Sequence, residues 1–350
     1  MANTLQLYFP QLRTRQQVLD EIQAKENLHA LYHSWKEEEQ EYFLDVCTGV
    51  RGVKMLYDGF FKEIFDPDVV PERLEELLSL LLRQKVKILK ALPNDSSRIA
   101  EESSLLIMDI VVQLEDGSIA NVECQKLGYV FPGARAACYS ADLLLRQYKR
   151  VRGERGKKFS YKDIKKVYSI IFYEQSPHPF HTFSESYIHR SKQQTDTGIE
   201  IDLLQEFVFI SLDNANMICK NKGIENTLEA WIMFLSNDSP EMILELIDTY
   251  PEFRPFYDEI YNLCLNMEKV MNMFSKELLE LDKNTVQYMI DEMQDEINAQ
   301  KEQLQEKDVT LQEKDVALQE KDVALQEKDV ALKEKDAEIE RLRALLGERK

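Results

Sequence analysis

Asp109 and Glu123 each stand inside an apolar run, Ile107-Met108-Asp109-Ile110-Val111 and Asn121-Val122-Glu123-Cys124-Gln125, and the turn Glu115-Asp116-Gly117 separates the two runs. A strand that is apolar on both sides is normally covered on both faces. A carboxylate within it must then be paired, metal-bound or protonated, because desolvating its charge is costly. The ordinary reading is two acids at a strand edge facing water, or each matched to an arginine. Register separates these two from acids chosen blind. A type I turn over Glu115-Asp116, closed by a left-handed Gly117, pairs Leu114 with Ser118 and puts Asp109 directly opposite Glu123. Asn121 and Gln125 share that face, because strand side chains alternate. A two-residue turn on Asp116-Gly117 shifts the pairing by one and sends Asp109 to the other side. The first register builds a like-charge pair that a divalent cation reconciles. Magnesium, with manganese as its substitute, suits such hard oxygen ligands.

Two carboxylates, a side chain able to orient water and a basic segment nearby suit phosphodiester hydrolysis, in which a metal polarises a phosphate oxygen and activates water. The basic segment runs from Arg146 to Lys166 and holds ten Lys or Arg against Glu154 and Asp163, although the chain as a whole carries −19. Arg146, Lys149, Arg150, Arg152, Arg155, Lys157 and Lys158 offer charge to a nucleic-acid backbone without reading its sequence. The plainer reading of the run is a solvated helix end and loop. Its expected place beside the acids favours a role with DNA.

The 350 residues, 44% hydrophobic and 9% aromatic, can bury a core. The start, MANTLQLYFPQLRTRQQ, has no apolar stretch and cleavage site of a secretory signal, and no apolar run is long enough to span a bilayer. Five scattered cysteines without a CxxC pair fit reduced thiols, so the expected compartment is the cytoplasm, without a membrane partner. His29 and His33, and His178 and His181, have no accompanying acid or thiol cluster and read as surface or packing residues.

The elements that must position the acids can be read coarsely. Residues 14–44 are helix-prone, YDGFFKEIF (Tyr57 to Phe65) is a short helix stopped by Asp66-Pro67, and PERLEELLSLLLRQK is a helix opened by Pro71. VKILKAL (Val86 to Leu92) predicts a strand closed by Pro93-Asn94-Asp95. The hairpin across Leu105 to Lys126 follows, then a helix over Ala134 to Arg150 and a strand over Lys166 to Gln175. The order is helix, strand, strand, strand, helix, strand, an α/β arrangement. FVFISLD (Phe207 to Asp213) predicts one more strand, and residues 224–272 predict helices.

The last segment has a different texture, a seven-residue repeat starting at Leu304 (LQEKDVT, LQEKDVA). With Ile290, Ile297, Leu304, Leu311, Leu318, Leu325, Leu332, Ile339 and Leu346 as a positions, the d positions are Met293, Gln300, Lys307, Lys314, Lys321, Lys328, Lys335 and Leu342. A coiled coil wants apolar residues at both. The seam is therefore thin, and a homo-oligomer through residues 286–346 and a solvated spacer helix are both open.

Asp109, Glu123 and Gln125 form the pattern D-x13-E-x-Q, which resembles the PD-(D/E)XK nuclease superfamily in its recombination-promoting nuclease, or transposase, branch. YDGFFKEIF resembles that branch's Asp-x-x-Phe-Lys-x-x-Phe signature, and Arg135-x-x-x-Tyr139 with Gln147-Tyr148 also fit. The likeness spans roughly residues 45 to 215. It implies a restriction-endonuclease-like αβββαβ core over residues 51–215. Flanking it would be a helical extension over 1–50, a helical region over 216–275 and the heptad helix over 276–350. It further implies Asp109 and Glu123 as metal ligands with the main-chain carbonyl of Cys124, Asp58 as the acid of the first helix (Glu63 being the weaker candidate), and Arg135 among the DNA contacts. Gln125 stands where the wider fold carries lysine. Glutamine can hold a water but brings no charge. Lys126 points to the other face in this register, which leaves Arg135, Arg146 or Gln147 as substitutes.

The expected function is a magnesium-dependent DNA endonuclease linked to recombination or transposition. The alternatives are a degenerate nuclease fold that binds DNA or protein without cutting, and an oligomeric scaffold built on the heptad tail.

Overall fold

The computed structural model describes residues 4–93, 109–127, 133–191 and 193–347. Residues 105–108 of the expected first hairpin strand, and the Asn94-Asp95 turn, lie outside these. Four helices come first: α1 (Thr4–Tyr8), α2 (Arg15–Ala24), α3 (Glu26–His33) and α4 (Glu37–Thr48). The YDGFFKEIF segment gives α5 (Asp58–Ile64) and the leucine-rich run gives α6 (Pro71–Leu82). Then come β1 (Ile88–Ala91), β2 (Ile110–Leu114), β3 (Ile119–Leu127), α7 (Gly133–Arg155) and β4 (Val167–Gln175). This is the expected αβββαβ order. A one-turn α8 (His178–His181), β5 (Ile188–Ser191) and β6 (Gln205–Ser211) complete the sheet. The chain continues through α9 (Leu212–Lys222), α10 (Thr227–Ser236), α11 (Pro240–Thr249), α12 (Arg254–Leu263) and α13 (Met267–Gly347).

Local chemistry explains the boundaries. Thr14 caps α2 and exchanges hydrogen bonds with Gln17 in a capping box. Pro71 opens α6, whose Leu74, Leu77, Leu78 and Leu81 form one buried stripe. β6 stops two residues earlier than its apolar run, because Leu212 and Asp213 begin α9 and Asp213 accepts the Asn214 N–H at 3.0 Å. β5 was not expected. Its four residues, Ile-His-Arg-Ser, are too few and too polar to carry a strand pattern, as suits an edge.

Among the described residues, six strands form one sheet in the order β1-β2-β3-β4-β6-β5. The β2–β3 pair is antiparallel, β3–β4 and β4–β6 are parallel, and β1 and β5 close the two edges antiparallel. The helix α7 is the crossover that lets β3 and β4 run parallel. It lies on one face, where Ala136, Tyr139 and Leu143 bury Val111, Ile119, Val167, Ile171 and Tyr173. The other face carries the main core, which draws on Leu5, Phe43, Phe61, Leu77, Val122, Trp231, Tyr257 and Phe274. The N-terminal helices, the sheet and α9–α12 therefore share one core, and residues 1–285 form one compact unit, with 286–350 the second. Among the described residues no helix is long and apolar enough to cross a membrane.

The hairpin that carries the acids closes at Gly117, whose φ of +91° is left-handed and whose N–H donates to the Leu114 carbonyl at 3.0 Å. The Leu114 N–H in turn donates to Ser118 at 2.9 Å. A Cβ at position 117 would also meet Lys165 Cγ at 3.3 Å. Gly117→Ala should therefore cost about 1–2 kcal/mol in urea unfolding, and Gly117→Asn less, because asparagine tolerates left-handed backbone. An alanine variant as stable as the wild type would show that this turn does not need that conformation.

Candidate active site

The register of β2 on β3 pairs Ile110 with Val122, Val111 with Asn121 and Val112 with Ala120. Continued by one residue, it sets Asp109 opposite Glu123, as the three-residue closure requires. Leu114 and Ser118 are a hydrogen-bonded pair, so counting outward makes 109 and 123 a non-hydrogen-bonded pair. Such pairs bring Cα atoms to about 4.5 Å and hold side chains closest. Alternation puts Asp109, Asn121, Glu123 and Gln125 on the face that α7 covers.

Each acid has defined partners. Asp109 Oδ2 accepts the Cys124 N–H at 2.7 Å. Glu123 is only 2% exposed; its Oε1 accepts from Asn121 Nδ2 at 3.0 Å and its Oε2 from Gln125 Nε2 at 3.4 Å. The Asp109 N–H also donates to Glu123, and all of these donors are neutral amides. Burial pushes the Asp109 carboxyl up to about 6, and Asp58 adds to the rise while the Cys124 N–H, Lys62 and Arg135 oppose it. Burial, and then the charge of Asp109, hold Glu123 well above the ordinary carboxylate range. Folding has thus set two acids together where both resist ionising.

The oxygen chemistry fits a hard cation. The two carboxylates adjoin, and the buried Asn121 Oδ1 has no hydrogen-bond partner. A strand residue's N–H and C=O point the same way, so the Cys124 carbonyl faces the side on which its N–H meets Asp109. Magnesium takes one or two carboxylates and keeps waters. The set is a pair: among the described residues no group of three His, Cys, Asp or Glu is arranged to hold a metal. Asp58 acts on Asp109 through its charge and pairs with Lys62 Nζ at 2.6 Å.

Lys126 projects from β3 to the opposite face. There it pairs with Glu277 of α13 and lies 4.3 Å from the Tyr57 ring centroid. Burial pushes its ammonium down to about 8. Of the expected substitutes for a lysine at 125, Arg135 stays near the acids, with its Nε on Tyr139 Oη at 2.9 Å and its charge opposing the rise of both carboxyls. Arg146 and Gln147 do not reach them. Arg146 is tied to Asp142 at 2.6 Å and to the Pro93 carbonyl at 3.1 Å, while Gln147 Oε1 accepts the Lys165 N–H at 2.5 Å.

The basic segment is not beside the acids either. Arg150 donates to Gln113 Oε1 at 2.9 Å, four residues up β2 from Asp109 and hence about 13 Å away. Lys149, Arg152, Lys157 and Lys158 are exposed, with Arg152 on the Tyr148 hydroxyl. The reason is the advance of α7, about 1.5 Å per residue, which separates Arg135 from Lys149 by about 21 Å. Neighbours in sequence thus become the two ends of one rail.

Two groupings were not foreseen. Lys62, noted only as part of a signature, comes within the field of both Asp109 and Glu123. Its i, i+4 spacing from Asp58 was the available signal. Ser176, His181 and Asp213 also meet: Ser176 Oγ is 3.0 Å from His181 Nε2 and 2.9 Å from Asp213 Oδ1, and the same Nε2 is 2.9 Å from Asp213 Oδ2. A catalytic relay uses the two ring nitrogens on opposite sides. This cluster uses one, and it clamps the end of β4 to the start of α9.

The raised carboxyl values fix the sign of a stability effect. The folded protein holds these protons more tightly than the unfolded chain does, so stability falls as pH rises from about 4 through 6 and beyond. In chelator, Asp109→Asn should be more stable than wild type by about 1–3 kcal/mol at pH 8, with the gap closing near pH 4. Urea unfolding at both values measures it; a variant no more stable at pH 8 would mean the pair carries no strain.

No curated protein and no solved structure matches the chain. The family model described as PD-(D/E)XK nuclease family transposase matches residues 55–322, from just ahead of Asp58, through both acids and well past the expected limit of 215. The match takes in about three quarters of the chain and all of the acid site, so the chain belongs to the PD-(D/E)XK nuclease family of transposases.

Proposed function

We propose that this chain is a magnesium-dependent DNA endonuclease serving recombination or transposition, with manganese able to replace magnesium. The observation that carries it is the opposed, like-charged pair of half-buried Asp109 and buried Glu123, which among the described residues accept hydrogen bonds from neutral amides only. Asp109, Glu123 and the Cys124 carbonyl would hold the ion. When bound, it polarises a phosphate oxygen and makes water acidic enough to attack at neutral pH. Gln125, 3.4 Å from Glu123, orients the attacking water through its amide. Asp58, at the start of α5, gives a hydrogen-bond acceptor on the solvent side, being 56% exposed in its side chain. In the reaction, water adds across one P–O ester bond: its hydroxyl joins phosphorus and its proton ends on the leaving oxygen.

Arg135 contacts the backbone close to the cut. Arg146, Lys149, Arg150 and Arg152 lie farther along α7, about five to eight base steps of 3.4 Å from Arg135, and Lys157 and Lys158 stand in the short turn that follows the helix. They grip flanking phosphates rather than the scissile one. Five unpaired cysteines support the reducing cytoplasm as the place of work.

Supercoiled plasmid with magnesium should be nicked, and Asp109→Ala or Glu123→Ala should lower the rate by more than about 100-fold without loss of folding. Unchanged nicking by both variants in a clean preparation would remove the site. The absence of charge at Gln125 favours a second reading, a fold that binds DNA without cutting it. Calorimetry separates the two: magnesium or manganese binding lost in Glu123→Ala supports the enzyme, and no binding by the wild type supports the second reading.

The tail supports self-association through residues 286–346. Leu304, Leu311, Leu318, Leu325 and Leu332 are each at least 57% exposed in the single chain, a row at heptad spacing. Deleting residues 300–350 should lower the mass found by light scattering. The same assembly in the truncated protein would make the tail a spacer.

A further inference from the structure

Charge around the acid pair is distributed in a way that the strand alone does not reveal. Position 125 brings an amide, and Lys126, the next residue, is committed to Glu277 and Tyr57 on the other side of the sheet. The short helix α5 supplies a different lysine. Phe60, Phe61 and Ile64 bury one side of α5 in the main core, which fixes the helix and leaves Asp58 and Lys62 together on another side. Lys62 Nζ is 2.6 Å from Asp58 Oδ1, and the Lys62 side chain is 35% exposed. The Asp58 N–H is held at 3.0 Å by Glu277 Oε2, which anchors the start of the helix. Charge interactions run from Lys62 to Asp58, Asp109 and Glu123. The ammonium thus stands in one electrostatic group with every acid of the site, on a four-carbon stem that lets its head move.

We infer that Lys62 is a catalytic residue, supplying from α5 the positive charge that Gln125 cannot supply from β3. The inference rests on the nuclease reading above. Without nucleic acid the ammonium sits on Asp58. With a phosphodiester in place it turns to a non-bridging oxygen of the scissile phosphate, where negative charge grows as water adds and the P–O ester bond breaks. Asp58 then serves as the resting partner and keeps the head within reach. Arg135, whose Nε donates to the Tyr139 hydroxyl, brings its charge from α7 and holds the substrate on that side.

The test uses the full chain, supercoiled plasmid with magnesium, calorimetry with manganese, and thermal unfolding. Lys62→Met keeps the length of the side chain and removes its charge. It should lower nicking by about 10²–10³-fold, the effect of losing one preorganised charge at a transition state. Manganese affinity should hold or rise, since a competing cation has left the carboxylates, and Tm should stay put. The double variant Lys62→Met, Gln125→Lys should recover about tenfold or more over Lys62→Met, because the charge returns from the strand side. A lysine that merely pins α5 would lower Tm and would not be rescued from β3. Nicking by Lys62→Met within about twofold of wild type, or a loss that Gln125→Lys does not restore, overturns the inference and leaves the nuclease reading standing. A wild type that binds manganese but cuts nothing overturns both.

Discussion

Two carboxylates brought together at the end of an antiparallel ladder repel each other, and that repulsion organises the surrounding chemistry. The placement is forced by the turn. Leu114 and Ser118 close on a left-handed Gly117, and from there the pairing runs unbroken to Ile110 and Val122, one residue short of Asp109 and Glu123. One residue more or less in the turn would turn Asp109 to the opposite face. Once the acids are opposed, what relieves them among the described residues is the amides of Asn121 and Gln125, the Cys124 and Asp109 N–H groups, and the charges of Lys62 and Arg135. A site that is costly when empty of positive charge has a built-in attraction for it.

The sheet divides tasks between its faces. Asn121, Glu123 and Gln125 face α7, while Val122, Cys124 and Lys126 face the main core side. Alternation therefore hands successive residues of one strand to chemistry and to architecture in turn. The Lys126–Glu277 pair is the clearest case. Both side chains are nearly buried, at 12% and 5% exposure, and the same carboxylate takes the Asp58 N–H. A single acid about three turns into α13 thereby joins the end of β3 to the first turn of α5. Removing either member of such a pair strands the other charge in a desolvated place.

Much of this could be read from residues alone, because it followed from local rules. The αβββαβ order came from apolar periods and from Pro and Gly punctuation, and the opposition of Asp109 and Glu123 came from counting outward from a turn. What could not be read depended on distance through space. The basic run beginning at Arg146 follows the acids closely in sequence, yet a helix converts fourteen residues into about 21 Å. Lys62 lies 47 positions before Asp109, and only the packing of Phe60, Phe61 and Ile64 turns it toward the site. β5 stayed hidden because an edge strand of Ile-His-Arg-Ser has neither the length nor the pattern of a buried one. The shared core of the N-terminal helices and α9–α12 was equally invisible, since composition marks segments and not their neighbours.

The seven-residue repeats within α13 have a geometric consequence of their own. Each copy adds about 10.5 Å of helix but turns the far end by only about 20°, because seven residues come close to two full turns. Gain or loss of a copy by slippage in the coding sequence would therefore stretch or shorten the rod while leaving its apolar edge nearly aligned. Length becomes a quantity that evolution can adjust in steps, with orientation almost conserved.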